Sequence, residues 1–179
     1  MVDIHYRWME KGELSRLADI DRTERVYTGY EVHDGKLQAL AVDWDVPGFL
    51  REGSGEHSLA HQIEFCQDHL LAGGKMIGAF AGEKLAGIGI LTPEIRPKIA
   101  QLAYLHVSRA YRRKGIATHL VREMIAYARQ YGADWVYVSA TPSGSAVGFY
   151  TSQGFRLCSE PLPELFELEP EDIHMILEL

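Results

Sequence analysis

Apolar residues recur along the chain in two patterns, short extended runs and longer runs with helical spacing. The extended runs predict strands at residues 4–8, 75–81, 84–91, 99–107, 135–140, 155–158 and 172–179. The helical spacing predicts helices at residues 12–25, between Gly55 and Gly73, at 115–131 and at 143–152. Because strands and helices take turns along the chain, the pattern indicates an α/β or α+β fold.

Turn residues and the strongest helix refine this outline. Hairpin turns are predicted at residues 33–36 (HDGK) and 82–83 (GE), and Pro93 and Pro97 predict a loop. The helix at 115–131 lies between two predicted strands. Such a strand–helix–strand unit predicts parallel pairing with a right-handed crossover.

The composition is that of an ordinary globular chain. Its 179 residues are 46% hydrophobic and 24% charged, which fits one domain over residues 1–179. No apolar run reaches the roughly 20 residues of a membrane helix, and the start lacks the basic and apolar segments of a secretory leader. Cys66 and Cys158 have no CxxC spacing, which favours a reducing cytoplasm over a zinc or redox site.

The charge balance narrows the choice of partners. Lys and Arg number 18 against 25 Asp and Glu, a net charge of −7. An acidic chain is a poor match for nucleic-acid phosphates, so the basic stretch at residues 109–114 does not predict nucleic-acid binding. A cationic small molecule suits this charge better. The acidic run at residues 167–172 is interpreted as a solubilising loop.

The predicted helix at 115–131 begins in an unusual electrostatic setting. Helix N-termini carry partial positive charge and unpaired N–H groups, which favours acidic or hydroxyl side chains there. Here residues 112–114 (RRK) lead directly into Gly115, and each misplaced charge costs about 0.3–1 kcal/mol. An anion would explain the arrangement, with the N–H groups of residues 113–118 pointing at phosphate oxygens. Alternatively, the three basic side chains extend into water.

Two motifs suggest which phosphate ligand is bound. P-loop and Rossmann glycine motifs are absent from the sequence, which disfavours ATP, GTP and NAD. What remains is R-x-x-G-x-A at Arg112, Gly115 and Ala117, and S-x-x-A-x-x-F-Y-x-x-x-G-F from Ser143 onward. Together they resemble the two signatures of the GNAT superfamily of acyl-CoA-dependent N-acetyltransferases. The resemblance covers residues 75–160 and departs from the family at Ser143, where relatives carry asparagine.

The resemblance implies a fold and a cosubstrate. The fold is a central twisted mixed β-sheet of about seven strands flanked by about four helices, with a cofactor wedge between the fourth and fifth strands. Acetyl-CoA would place its thioester and pantetheine on the backbone of residues 105–107 and its pyrophosphate on residues 113–118. The cofactor-binding residues so implied are Leu105, His106, Val107, Arg112, Arg113, Lys114, Gly115, Ile116, Ala117, Thr118, Ser143, Ala146 and Tyr150.

Tyr150 is the candidate catalytic acid. Attack of an amine on a thioester expels a thiolate, whose thiol has a pKa of about 8.5, and a phenol with a pKa near 10 can return a proton to it. The alternative is that Tyr150 is a core aromatic residue. The general base stays open, because Gln101 stands where some relatives carry a carboxylate or histidine. His106 is the nearest other candidate.

The remaining polar residues give weaker signals. Three carboxylates of residues 20–50, the expected acceptor-side wall, can bind a cationic acceptor or simply be solvated: Glu31, Asp43 and Asp45. Three histidines share one predicted helix face: His57, His61 and His69. Because the HExxH pattern is absent, we expect no metal site there.

The resemblance to the GNAT superfamily implies an N-acetyltransferase. It would move an acetyl group from acetyl-CoA to a primary amine of a small molecule or protein, by direct attack in a ternary complex. Neither cysteine is placed as a nucleophile, so no covalent enzyme intermediate is expected. The alternative is a non-catalytic acyl-CoA sensor or partner-binding module on the same fold. The oligomeric state stays open, a homodimer included.

Overall fold

Residues 3–179 are described by a computed structural model of the chain. The strands are β1 (Ile4–Met9), β2 (Glu24–His33), β3 (Lys36–Val46), β4 (Lys75–Ala81), β5 (Lys84–Arg96), β6 (Ile99–Val107), β7 (Trp135–Ala140), β8 (Arg156–Leu157) and β9 (Ile173–Glu178). The α-helices are α1 (Leu59–Leu71), α2 (Ile116–Gln130), α3 (Gly144–Ser152) and α4 (Pro163–Leu168), and 3₁₀ helices span Lys11–Asp19 and Arg109–Tyr111.

The main sheet has seven strands in the order β1-β4-β5-β6-β7-β9-β8. Strands β6 and β7 pair in parallel, as the strand–helix–strand pattern predicts, and the other neighbours pair antiparallel. The predicted mixed sheet of about seven strands and four helices is therefore confirmed. Strands β2 and β3 form a separate two-stranded sheet.

Both faces of the main sheet are covered by helices. One face packs against α2 and α3 around residues that include Leu120 and Phe155. The other face packs against α1 and the 3₁₀ helix Lys11–Asp19 through residues that include Leu17 and Cys66. Central strands are consequently buried on both sides, which explains the continuous apolar runs in their sequence.

Helix α2 connects the two parallel strands. Its predicted apolar stripe is buried, and its buried residues are Ile116, Leu120, Val121, Met124 and Ala128. The helix ends in a Schellman motif, in which Gly132 (φ 91°) donates to Arg129 and Ala133 donates to Ala128, each at 3.0 Å. Glycine adopts this left-handed conformation without the strain that a Cβ would cause. The helix therefore ends where the sequence predicts.

The helix predicted at residues 12–25 is wrong in type and length. Residues 11–19 form a 3₁₀ helix, and β2 begins at Glu24. The chain leaves the helix because Asp21 accepts hydrogen bonds from the backbone and hydroxyl of Thr23, at 3.0 and 2.6 Å. The Asp21 backbone N–H also donates to Ser108 at 2.9 Å. These local and long-range hydrogen bonds stabilise the non-helical backbone more than the apolar spacing favours a continued helix.

The loop predicted between Pro93 and Pro97 is also wrong, because β5 continues to Arg96. The pairing of β5 with β6 shifts register between Thr92 and Arg96. Pro93 lies inside that irregularity, so the sheet needs no hydrogen bond from its missing N–H.

The predicted hairpin at residues 33–36 is confirmed. Asp34 and Gly35 both have positive φ, 48° and 70°, which matches the two-residue turn that suits the twist of β-strands. The second predicted turn, at residues 82–83, likewise joins β4 to β5. Within residues 3–179, none of the helices combines the length and apolar character that crossing a membrane requires.

Candidate active site

An opening lies between β6 and β7, the fourth and fifth strands of the main sheet. The two strands pair from Ile99 with Trp135 to Gln101 with Tyr137. Strand β6 then continues to residue 107 and β7 to residue 140 without further pairing. Because alternate backbone groups of a strand face each edge, residues 102–107 offer unpaired peptide groups to this opening. The predicted wedge has this position in the sheet.

Leu105, His106 and Val107 all lie in the unpaired stretch of β6. The side chains of Leu105 and Val107 pack against the core under α2. Strand alternation places His106 on the opposite face. The backbone of the three residues is therefore at the opening, as expected, whereas their side chains are divided between two cores.

The N-terminus of α2 lies directly beyond β6 and is uncapped by any side chain. Gly115 is the N-cap residue and adopts φ 80°, and Arg113 also has positive φ, 62°. The first turn contains no acidic residue. Within residues 3–179, the N–H groups of Ile116, Ala117 and Thr118 have no acceptor. This geometry favours an anion, as the sequence predicts.

The three basic residues before α2 differ in what they contact. The guanidinium of Arg112 donates to the carbonyl oxygens of Val107 (3.0 Å), Arg22 (3.0 Å) and Thr23 (3.1 Å). Its guanidinium is therefore already occupied, contrary to the expectation that all three cations face an anion. Its role is to tie the end of β6 to the segment before β2.

Arg113 and Lys114 are exposed at this helix end. The ammonium of Lys114 donates to the Ala110 carbonyl at 3.0 Å and lies 5.4 Å from the ring centre of Tyr111. Among residues 3–179, Arg113 makes no side-chain hydrogen bond or ion pair. Arg113 and Lys114 thus both present positive charge at the α2 N-terminus, and Arg113 is the one whose side chain has no hydrogen-bond partner in the described residues.

His106 was the candidate base, and its surroundings argue against that role. Its ring packs edge-on against Tyr104 and Phe49, with ring centres 4.7 and 5.8 Å apart. Burial, together with the guanidinium charges of Arg22 and Arg112, lowers the pKa of His106 to about 3. A group with so low a pKa is too weak a base to deprotonate an alkylammonium near neutral pH.

Tyr150 lies on α3 with its ring in the core. The ring packs against Phe149 and Phe155, at 5.3 and 5.4 Å between centres. Within residues 3–179 the hydroxyl has no hydrogen-bond partner, yet no buried side-chain oxygen lacks one, so the hydroxyl reaches the surface. Burial, and then the charge of Asp172, raises the pKa of Tyr150. The phenol therefore stays protonated near neutral pH, as a general acid must.

Ser143 and Ala146 lie at the start of α3. The Ser143 hydroxyl caps the helix by accepting from the Ala146 N–H at 3.2 Å, and it also contacts the Ser145 hydroxyl at 3.1 Å. Ser143 is buried, whereas Ala146 is partly exposed. The Ser143 hydroxyl thus serves its own helix, which leaves the expected pantetheine contact without support here.

The β2–β3 hairpin, part of the expected acceptor-side wall, contacts the ends of β6 and β7 through bonds that the sequence does not predict. Arg112 holds the chain just before β2 to the end of β6. Further along β2, the backbone N–H of Tyr30 donates to the carbonyl of Pro142 at 3.0 Å, and Gly29 forms a backbone bridge to Ser143 just beyond β7. Glycines mark this contact, because a Cβ on Gly144 would lie 3.1 Å from the Cβ of Thr28.

The sequence analysis missed the partly buried environment of Asp172. This residue directly precedes β9. Burial, and then the charge of Glu169, raises the pKa of Asp172 to about 7. The interpretation of residues 167–172 as a solubilising loop is therefore wrong for Asp172. The available signal was its position immediately before a strand of apolar residues.

Most of the weaker candidates, the hairpin carboxylates and the histidines around α1, already have partners within the protein. Asp43 and Asp45 form ion pairs with Arg25 at 2.6 and 2.7 Å, whereas Glu31 is exposed on the hairpin. His57 bonds to Arg22 at 2.7 Å and His69 bonds to Thr92 at 2.9 Å, whereas His61 is exposed. Over residues 3–179, no three metal-ligating side chains converge.

Known proteins resemble this chain in sequence and in fold. The model of the acetyltransferase (GNAT) family matches residues 37–155. The uncharacterized N-acetyltransferase YvbK of Bacillus subtilis (strain 168) is 30% identical over 91 residues, which are 50% of this chain and 58% of that protein. The chain thus spans little more than half the length of this relative.

Two solved structures cover nearly the whole chain. A crystal structure of nourseothricin acetyltransferase matches with a TM-score of 0.73 at 17% identity, over 98% of each chain. That of a putative streptothricin acetyltransferase from Bacillus anthracis str. Ames, in complex with acetyl coenzyme A, matches with a TM-score of 0.71 at 15% identity, over 99% of each chain. At these identities the likeness concerns the fold.

The family match extends over more than half of the chain, from β3 to the end of α3. The chain therefore belongs to the acetyltransferase (GNAT) family, as its two motifs predict.

Proposed function

We propose that this chain transfers an acetyl group from acetyl-CoA to a primary amine, by direct attack in a ternary complex. The main support is the opening between β6 and β7, which combines unpaired strand edge with an uncapped helix N-terminus. An extended pantetheine carries amide groups that can bond to such an edge. The N-terminus of α2 suits the pyrophosphate at the other end of the cofactor.

The cofactor contacts follow from this placement. We expect the backbone of residues 105–107 to bind the thioester and pantetheine, and the N–H groups of Ile116, Ala117 and Thr118 to bind phosphate oxygens. Arg113 supplies the positive charge. Arg112 stabilises the site indirectly, because its guanidinium donates hydrogen bonds to three backbone carbonyl groups next to it.

Tyr150 is the proposed catalytic acid. The amine nitrogen bonds to the thioester carbon, and the carbon–sulfur bond then breaks. The departing thiolate takes the proton of the Tyr150 hydroxyl. A phenol can supply this proton because it is protonated at neutral pH, and the proton that the nitrogen loses on forming the amide restores the phenol.

A cationic amine is the proposed acceptor. The net charge of −7 supports it, and so does the likeness to structures named for acetylation of nourseothricin and streptothricin. We place the reaction in the cytoplasm, in a single domain over residues 1–179. Both cysteines are free thiols, which supports a reducing compartment.

The test is turnover with a defined panel of amines. Nourseothricin, spermidine, free lysine and a peptide with one lysine are each incubated with acetyl-CoA, while thiol release and the mass of the amine are followed. We expect at least one amine to gain an acetyl group as thiol appears. Calorimetry with acetyl-CoA alone separates the alternatives, since a sensor binds the cofactor without turnover. A chain that does not bind CoA at micromolar concentration contradicts the proposal.

A further inference from the structure

Two polar side chains on segments adjoining the end of β7, Asp172 and Tyr150, have no hydrogen-bond partner within residues 3–179. Asp172 directly precedes Ile173, which pairs with Ala140, the last residue of β7. Helix α3, which carries Tyr150, begins four residues further on from Ala140, at Gly144. Asp172 therefore lies just past the end of β7, beyond the stretch where β6 and β7 pair, and Tyr150 lies on the helix that starts from the same end of β7.

The Asp172 carboxylate is held there without a counter-ion. Among residues 3–179 it forms no ion pair and no side-chain hydrogen bond, and no buried side-chain oxygen lacks a partner. Asp172 is thus partly buried, and its carboxylate oxygens keep contact with solvent. Its charge acts on Tyr150, whose pKa it helps to raise.

The groups around Asp172 keep it able to take up a proton near neutral pH. The charge of Asp172 acts on Tyr150 of α3, and the charge of Glu169, three residues earlier in the chain, acts on Asp172. No charged group of β2 or β7 contributes to its shift. Burial and the Glu169 charge raise the pKa of Asp172 to about 7, and a base is most effective when its pKa lies near the working pH.

On the basis of the acetyl transfer proposed above, we propose that Asp172 accepts the proton that the acceptor ammonium loses before attack, directly or through one water. The neutral amine then bonds to the thioester carbon and the carbon–sulfur bond breaks. The thiolate takes the Tyr150 proton, and the second proton of the nitrogen restores the phenol. Asp172 releases its proton to solvent, so ammonium and acetyl-CoA give amide, CoA thiol and one proton.

The test is the pH profile of kcat/KM for Asp172→Asn, with nourseothricin as the first acceptor and the best amine of the panel as the second. For the wild type we expect kcat/KM to rise to about pH 7 and then level off. For the variant we expect a rate at least tenfold lower at pH 7.5. Its rate should keep rising about tenfold per pH unit to pH 9, because only amine already deprotonated in water, with a pKa of about 10.4, can react.

Two neighbouring variants act as controls. Glu171→Gln removes an exposed charge and should leave the profile unchanged. Glu169→Gln removes one cause of the raised pKa and should move the rising part of the profile to lower pH. Equal acetyl-CoA affinity in the wild type and Asp172→Asn shows that the fold and cofactor site are intact.

The outcomes are distinct. An Asp172→Asn variant with the wild-type rate overturns the proposal, and so does a slow variant whose profile still levels off near pH 7, since that indicates a structural role. A wild type that acetylates no amine overturns acetyl transfer itself.

Discussion

Two buried tyrosines show how differently the same side chain is used in this molecule. The hydroxyl of Tyr137 contacts the Nδ1 atom of His174 at 2.8 Å and accepts from the Leu162 N–H at 3.2 Å. The hydroxyl of Tyr150 has no partner within residues 3–179. One hydroxyl therefore serves the fold, and the other is free to act on a bound molecule.

Replacing Tyr150 with phenylalanine should reduce turnover and spare the fold. The variant loses no internal hydrogen bond, so we expect its melting temperature to match that of the wild type. Turnover of acetyl-CoA with the chosen amine should fall at least tenfold, since general acid catalysis contributes about 10²–10⁴-fold. Thiol release and thermal unfolding measure the two effects. A variant as active as the wild type would exclude Tyr150 from the mechanism.

Tyr137→Phe is the matched control with the opposite expectation. It removes the acceptor of the Leu162 N–H and leaves the His174 Nδ1 atom only its longer contact with the Ser139 hydroxyl at 3.4 Å, which costs about 1 kcal/mol of unfolding free energy. Its turnover at a temperature where it remains folded should equal that of the wild type. Loss of activity there would show that hydroxyl loss alone does not identify the catalytic tyrosine.

Single residues were predictable where a local motif defines them. Gly115 and Tyr150 are each marked by a motif within its own strand–helix segment, and the positive φ of Gly115 confirms the need for glycine there, whereas the catalytic role of Tyr150 stays a prediction. Asp172 was missed because its properties arise from burial and from Glu169. Arg112 has the motif's charge, but the carbonyl groups that hold it come from distant parts of the chain, which no local pattern reveals.

At the scale of elements, a positive charge at the N-terminus of α2 has two opposite effects. It lowers the stability of the cofactor-free protein and raises the affinity for an anionic cofactor. Arg113→Gln removes the exposed charge while keeping a side chain of similar length at the same positive φ. Without cofactor, we expect the variant to be more stable by about 0.3–1 kcal/mol, because a cation no longer faces the positive helix end. Its affinity for acetyl-CoA should fall about fivefold at low salt and less at high salt. Urea unfolding and calorimetry measure these changes.

Arg112→Lys controls for charge at the neighbouring position. The lysine keeps the positive charge but cannot bond three carbonyl groups at once. The variant should therefore lose stability, whereas Arg113→Gln gains it. Equal effects of the two substitutions would contradict the division of roles between these arginines.

The contact between α3 and β2 gives a second pair of matched variants. A Cβ on Gly144 would lie 3.1 Å from the Thr28 Cβ, whereas a Cβ on Gly148 meets nothing within 4 Å. Gly144→Ala should push the hairpin outward and raise the KM for the amine. Gly148→Ala should stabilise the cofactor-free protein by about 0.5–1 kcal/mol, as alanine does inside helices. An unchanged KM in Gly144→Ala would remove β2 from the acceptor wall.

Whole elements were predictable where their own residues determine them. The strands of the main sheet, the 33–36 turn and α2 follow from apolar spacing and glycine positions. The errors fall where distant contacts act, as at residues 20–23, which bond to Ser108 and Arg112. The path of the hairpin across the strand ends depends on such contacts too.

At the scale of the whole molecule, two buried groups give opposite dependences of stability on pH. Folded Asp172 keeps its proton to about pH 7, whereas its ordinary pKa is 3.8, so its contribution to stability falls as pH rises between these values. Folded His106 releases its proton at about pH 3, whereas its ordinary pKa is 6.5, so its contribution rises with pH over a similar window. The two contributions largely oppose each other.

Replacing either Asp172 or His106 should expose the effect of the other on the pH dependence of stability. We expect Asp172→Asn to become more stable as pH rises from 4.5 to 6.5, because the histidine contribution is then uncompensated, and burial lowers the pKa of His69 in the same direction. His106→Asn should show the opposite slope, because Asp172 still favours the folded state at low pH. Urea unfolding at matched ionic strength measures both slopes against the flatter wild-type curve. Parallel curves for all three proteins would mean that neither group titrates differently on folding, and the raised pKa of Asp172 would no longer support its role as a base.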